Sequence, residues 1–371
     1  MPYLICLMLL AAAGTPQEEL FARGQALQQG GRFAEAEAVY RQYLKLHGPR
    51  AEVLANLGAL LVRQEKFDEA VTRYREALKI APGLTPLHLN LGLAFFKNGR
   101  HAEAIGAFTT YLAQDATHAQ ARQLRAMSYL ESGQFPEATR DYQMLLPSTD
   151  AGVALGLATA YTRSGDTAKA REYLEPLLAR TDSPETQLLL TQVYLMDEQV
   201  DEAEKALNAA LKLRPKLATA HYLRGVILWR HQEIPQAMAA WRREIAADAR
   251  SYAAHFALGA ALSLDGVAAA DPRRLQESQQ HFRRAVALKP TSAPALYQLA
   301  KLLWRTKNLE TVPLLERAVA ADAGYREAHY LLANVYQTLG RRTEAAREFA
   351  EVRKLTAEGV RKVRSLFEVS N

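Results

Sequence analysis

The strongest constraint on this 371-residue chain is that it repeats itself about every 34 residues. Aligning 51–84 on 85–118 places Leu57-Gly58 on Leu91-Gly92, Leu61 on Phe95, Ala70 on Ala104 and Tyr74 on Phe108. The small residue of that pair recurs as Gly24, Gly58, Gly92, Ala126, Ala158, Thr191, Gly225, Gly259, Ala300 and Ala333, at intervals of 34, 34, 34, 32, 33, 34, 34, 41 and 33. A second small residue follows twelve positions later, as Ala36, Ala70, Ala104, Ala138, Ala170, Ala203 and Ala237. Ser278 and Ala345 extend the series if the eighth repeat carries its seven extra residues between its two small positions. Four residues further on stands an aromatic or a leucine: Tyr40, Tyr74, Phe108, Tyr142, Leu174, Leu207, Trp241, Phe282 and Phe349. A unit this short cannot bury its own apolar face, so such units must stack.

Within each period the apolar positions fall at i, i+3, i+4 and i+7 between Pro or Gly breakers, which predicts two amphipathic helices, A and B. The small residues let the two helices approach closely, and the larger ones fill the space around them. Gly31, Gly99, Gly133, Gly165 and Gly340 fall at the A–B turn, where a left-handed cap costs glycine least. Lys307-Asn308 replaces that glycine in the ninth repeat. Pro136 and Pro235 are expected in the first turn of a B helix, which tolerates proline. Pro176 is expected to kink or end the B helix of the fifth repeat. In the eighth, 266–270 is expected to form an exposed loop, with Asp271 capping the next helix and Pro272 at its first position.

This pattern resembles the tetratricopeptide repeat family, which the second repeat follows closely with Leu54, Leu57-Gly58, Leu61, Ala70, Tyr74, Ala77 and Pro82. The resemblance covers about 17–357, in repeats starting near 17, 51, 85, 119, 151, 184, 218, 252, 293 and 326. The implied fold is all-α: a right-handed superhelical solenoid of about ten antiparallel helix pairs. Residues 358–371, with Val360, Val363 and Phe367 on one face, are expected to form a C-terminal capping helix.

Residues 4–13 form an uncharged apolar run, too short to span a bilayer. The run suits a signal peptide over 1–13, with Ala11 and Ala13 as the small cleavage residues, although Met1-Pro2-Tyr3 lacks a basic side chain. Export to the periplasm or outside the cell is expected on that ground; a cytoplasmic chain is the alternative. No transmembrane span is expected in the mature chain. One cysteine excludes a disulfide scaffold and cysteine-ligated metal.

Catalytic motifs are missing: the chain has no phosphate-cradling Gly-rich loop before Lys, no Gly-x-Ser-x-Gly and no His-Glu-x-x-His. His88, His221, His255 and His329 all occupy the fourth position of a repeat and read as packing residues, so neither metal nor other cofactor is expected. The expected function is a non-catalytic scaffold holding a partner protein or peptide in its groove. The alternative is a cytoplasmic regulatory adaptor whose basic C-terminal third meets an acidic partner or nucleic acid. From Arg273 to Asn371 there are 18 Lys/Arg against 10 Asp/Glu, but no nucleic-acid recognition motif accompanies them. Nucleic acid is therefore not expected.

In the family the resemblance points to, helix A lines the groove with its second, fifth, sixth, ninth, twelfth and thirteenth positions. The sixth-position asparagine, which can bond a peptide backbone, occurs here as Asn56 and Asn90, and the Lys/Asn pair that clamps chaperone C-termini is absent. From the seventh repeat on, the groove positions become aromatic and basic: Tyr222, Trp229, Arg230, Phe256, Tyr297, Lys301, Trp304, Arg305, Tyr330 and Asn334. Aromatic anchors beside guanidinium groups carry most binding energy at protein interfaces. These ten residues are the expected partner site, with Trp229 and Trp304 as exposed anchors away from the helix-pair core.

Overall fold

The computed structural model describes residues 15–264 and 271–357. The expected signal peptide over 1–13, the loop at 266–270 and the capping helix at 358–371 lie outside the described residues. Among the described residues there are twenty α-helices and no strand. They alternate as A and B helices in the register of the repeat, an all-α repeat solenoid in which nine A–B pairs pack directly among the described residues. The chain divides into two compact halves, Met1–Tyr173 and Leu174–Asn371.

The first half contains α1 (Pro16–Gln29), α2 (Phe33–His47), α3 (Ala51–Arg63), α4 (Phe67–Ile80), α5 (Pro86–Lys97), α6 (His101–Leu112), α7 (Ala119–Glu131), α8 (Phe135–Gln143) and α9 (Ala151–Ser164). Its A helices α3, α5, α7 and α9 lie side by side. Ala36, Ala70, Ala104 and Ala138 are fully buried, as are Tyr40 and Phe108, so the small-then-large spacing is the core. The short fourth repeat is pinned by charge. Arg125 bonds both oxygens of the buried Asp141 at 2.7 Å, and Arg122 stands 3.5 Å from the same carboxylate.

Helix α10 (Thr167–Arg180) contains the boundary between the halves. It runs on through Pro176, which corrects the expectation that proline would end it. Leu174 and Leu177 on either side are buried, and their packing offsets the hydrogen bond that proline cannot make.

The second half continues with α11 (Pro184–Met196), α12 (Val200–Leu213), α13 (Ala220–Arg230), α14 (Ile234–Ala247), α15 (Tyr252–Leu262), α16 (Pro272–Leu288), α17 (Ala293–Trp304), α18 (Thr311–Ala321), α19 (Arg326–Thr338) and α20 (Arg342–Ala357). Asp271 caps α16 by accepting from Arg273 N at 2.9 Å, with Pro272 as the first helical residue. Ser278 Oγ donates to Gly259 O at 2.7 Å, and Phe282 covers Gly259. The seven extra residues therefore sit between the two small positions. Thr219 offers no side-chain cap to α13, and the buried Glu244 of α14 takes that role, accepting from Tyr222 N at 3.2 Å.

Two fourth-position histidines are buried and hydrogen-bonded. His255 Nε2 donates to Ala249 O at 3.4 Å, which leaves Nδ1 to accept from His281 Nδ1 at 2.9 Å. Burial pulls both imidazoles below 6.5, and for His281 the neighbouring His255 adds to it. Asp248 and Arg284 act on the first, Glu277 and Arg242 on the second. His329 in the tenth repeat also has Nε2 near a carbonyl, Ala323 O at 3.2 Å, but its Nδ1 meets the Glu348 carboxylate at 2.6 Å, to which the ring donates.

One closure recurs at nine A–B turns. The N–H of Arg32, Lys66, Arg100, Gln134, Asp166, Gln199, Glu233, Asn308 and Arg341 each reaches the carbonyl five residues back, at 2.8–3.1 Å. The residue before each has positive φ: the five expected glycines, and also Glu65, Glu198, Gln232 and Lys307. A side chain in that conformation costs about 1–2 kcal/mol. Glycine gives part of that back as unfolded-state entropy. Glu65→Gly and Gln232→Gly should therefore each stabilise the fold by about 0.5–1 kcal/mol. A urea midpoint unchanged or lowered would contradict the account.

The histidine pair generates a pH prediction. Below pH 6.5 the unfolded chain takes up protons that the folded pair resists, so stability present above 6.5 is lost as pH falls toward the folded value. His281→Gln should flatten the fall in denaturation midpoint between pH 7 and 5.5. Identical slopes in variant and wild type would show that the pair contributes nothing.

Candidate functional site

The ten expected partner residues lie on or at the ends of A helices and divide by burial. Tyr222 and Phe256 are 3% and 2% exposed, which corrects their assignment to the partner surface. Phe256 packs on Tyr252 and Phe282 at 6.0 and 5.7 Å and joins the core of the ninth repeat. Tyr222 gives its carbonyl to Trp241 Nε1 at 3.2 Å and its N–H to Glu244.

Trp229 and Trp304 are half-buried, which corrects their reading as exposed anchors. Trp229 lies 5.9 Å from the fully buried Trp241 and packs on its cluster; Trp304 packs on the core of the ninth and tenth repeats. A twelfth-position ring is wide enough to reach the helix-pair core and cover it.

The remaining residues do reach solvent. Lys301 and Arg305 at the end of α17 are exposed, and Tyr330 on the adjacent α19 is 56% exposed. Tyr297 is half-buried against Tyr325 at 5.2 Å, and Asn334 Nδ2 donates to Tyr330 O at 2.7 Å. Arg230 is exposed in the seventh repeat, 3.5 Å from Glu198. The structure thus brings Tyr297, Lys301, Trp304, Arg305, Tyr330 and Asn334 together on two neighbouring A helices, and leaves Arg230 apart from them in sequence. Elsewhere in the basic C-terminal third, Arg283, Arg326 and Arg341 pair with Glu310, Glu327 and Glu344 at 2.8, 3.4 and 3.0 Å, which occupies three of its cations.

Two cavities are not assembled from the sequence, although Asn56 in the first and Tyr222 in the second are among the groove residues named from it. Gln25, Gln28, Gln29, Gly31, Phe33, Asn56 and Arg63 line an open cavity of about 490 Å3 in the first two repeats. A smaller one of about 350 Å3 lies along the repeat junctions at Thr219, Asp248, Ser251, Tyr252 and Lys289. Among the described residues no group of three or more His, Cys, Asp or Glu is placed to hold a metal ion, and no helix is long and apolar enough to cross a membrane.

Family models described as tetratricopeptide repeat match residues 61–128 and 164–227, 21–85, and 151–176 and 326–351. Together they cover more than half of the chain. Two curated relatives come from Schizosaccharomyces pombe. A DnaJ homolog subfamily C member 7 homolog is 24% identical over 289 residues, 70% of this chain and 61% of its own. Anaphase-promoting complex subunit 3 is 22% identical over 185 residues, 50% of this chain and 27% of its own. The match thus spans about three fifths of the first relative and about a quarter of the second. Among solved structures, the APC/C hetero-tetramer Cut9-Hcn1 aligns over 93% of this chain and 88% of its own with TM-score 0.55 at 14% identity. A tetratricopeptide repeat protein from Parabacteroides merdae aligns over 66% and 98% with TM-score 0.54 at 18% identity. These likenesses concern the fold. The paired helices, their small-on-large register and the family matches establish that the chain belongs to the tetratricopeptide repeat family, whose members generally bind other proteins.

Proposed function

We propose that the chain is a non-catalytic scaffold that holds a protein partner on the A-helix face of the ninth and tenth repeats, and that it does so in the cell envelope. The observation that carries the first part is the exposure of Lys301 and Arg305 around the half-buried Trp304, with Tyr330 on the next A helix. Two cations beside partly accessible rings favour a partner segment carrying acidic and apolar side chains. A role as part of an assembly is also in keeping with one relative, which is by name a complex subunit. Envelope placement is supported by the apolar run at 4–13 and its alanines.

The partner surface is tested by cross-linking from the native cells with the full chain. Lys301→Glu/Arg305→Glu/Tyr330→Ala should lose the proteins that the wild type captures while its melting curve stays in place. Trp229→Ala should instead lower stability by about 2 kcal/mol, because its ring covers Trp241. Unchanged capture by the triple variant would remove this surface from consideration.

Placement is tested by sequencing the N-terminus of the protein purified from its own cells. A first residue near Gly14 is the expected result. An intact Met1 would overturn export.

A further inference from the structure

The cavity in the first two repeats is walled by four carboxamides, from Gln25, Gln28, Gln29 and Asn56, and one guanidinium, from Arg63; no carboxylate lines it. Two of the amides are oriented from behind. Tyr40 is fully buried, with its ring lying where a side chain on Gly24 would stand. Its hydroxyl donates to Gln28 Oε1 at 3.1 Å and accepts from Asn56 Nδ2 at 3.3 Å. A hydroxyl has one proton, so these two roles are set together. Gln28 turns its carbonyl to the hydroxyl and keeps its NH2 for the cavity. Asn56 is turned the other way and keeps its carbonyl.

Arg63 supplies the charge. Its guanidinium lies 4.9 Å over the Phe33 ring, a cation–π contact that fixes its plane and leaves its donors available. Three other arginines of the first two repeats are paired with carboxylates: Arg32 with Glu35 at 2.6 Å, Arg41 with Glu69 at 2.6 Å and Arg50 with Glu52 at 3.0 Å. Among the described residues no carboxylate pairs with Arg63.

Donors on Arg63 and Gln28 beside an acceptor on Asn56 complement an acidic residue in an extended chain. Its side-chain carboxylate accepts and a peptide N–H donates. We propose that this cavity selects an aspartyl or glutamyl residue within an extended segment of a partner protein, with the carboxylate on Arg63 and Gln28, beside Asn56 Oδ1, whose bond to a peptide N–H the family's sixth-position asparagine already implies. Charge-assisted, geometrically matched contacts of this kind give selectivity against the uncharged amide analogue. The site deepens the scaffold reading but shares no residue with the surface in the ninth and tenth repeats.

The test is an NMR titration of the full 15N-labelled chain, following the Arg63 Nε–H and the Gln28 and Asn56 side-chain amides. The probe is N-acetyl-glutamyl-N-methylamide, with the glutaminyl analogue as control. Saturable shifts should appear with the acidic compound, and binding of the amide analogue should be at least tenfold weaker. Arg63→Gln should abolish that preference. Tyr40→Phe keeps the ring over Gly24 and removes the hydroxyl, so it should weaken binding three- to tenfold. Lys301→Glu/Arg305→Glu should leave the titration unchanged, which separates this site from the other surface. No saturable shift, equal binding of both compounds, or an acid preference surviving Arg63→Gln would overturn the proposal. So would tighter binding of N-acetylglycine, which would assign the cavity to a chain terminus.

Discussion

A Cβ added to Gly24, Gly58, Gly92 or Gly225 would lie 2.4, 2.7, 2.6 or 2.3 Å from a ring atom of Tyr40, Tyr74, Phe108 or Trp241. Real carbon atoms do not approach so closely, so at these positions helix B can rest its largest side chain on helix A only where helix A has no side chain. Overpacking such a seat costs about 1–3 kcal/mol. The contact sets the spacing of these pairs, and through it the register in which the next pair stacks. It also brings polar atoms into the helix interface. The Tyr40 hydroxyl surfaces between Gln28 and Asn56, and the Trp241 N–H holds the carbonyl of Tyr222. The side chain chosen for the seat thus decides what stands behind the groove.

Much of this was legible because it is local and repeated. The left-handed turns at Gly31, Gly99, Gly133, Gly165 and Gly340, the Asp271 cap and the seats of Ser278 and Phe282 all follow from the chemistry of a few adjacent residues. The turn needs positive φ more than it needs glycine, which is why Glu65, Glu198, Gln232 and Lys307 occupy the same conformation without announcing it. Pro176 shows the limit of local reasoning. One missing N–H argues for a break, but the buried Leu174 and Leu177 keep the helix going.

Exposure was less legible than position. Tyr222, Phe256, Tyr297 and Tyr330 all hold the fifth position of a repeat, yet the first two are buried, the third is half-buried and the fourth is largely exposed. Cover at this position comes from neighbouring repeats and differs with their side chains. Tyr222 shares a pocket wall with Tyr252 and Ala253, while Phe256 joins a cluster with Leu296 and Leu299. Tyr330 stands in the last described repeat, with no later one among the described residues to cover it. Periodicity reports which residues share a face; it does not report how large the neighbours over that face will be.

The polar cavity is hidden in the sequence for the same reason. Gln25, Gln28 and Gln29 look like the solvated end of a solenoid, and composition offers no reason to read them otherwise. What distinguishes them is a hydroxyl twelve residues after Gln28 and an asparagine sixteen residues after that hydroxyl, on three different helices. Only the seat at Gly24 brings those three groups within hydrogen-bond distance. The close packing that makes the fold therefore also sorts donors from acceptors on the surface, leaving an amide nitrogen, an amide oxygen and an arginine at one cavity. A glutamine-rich helix without a buried tyrosine hydroxyl behind it would present freely rotating amides and no such order.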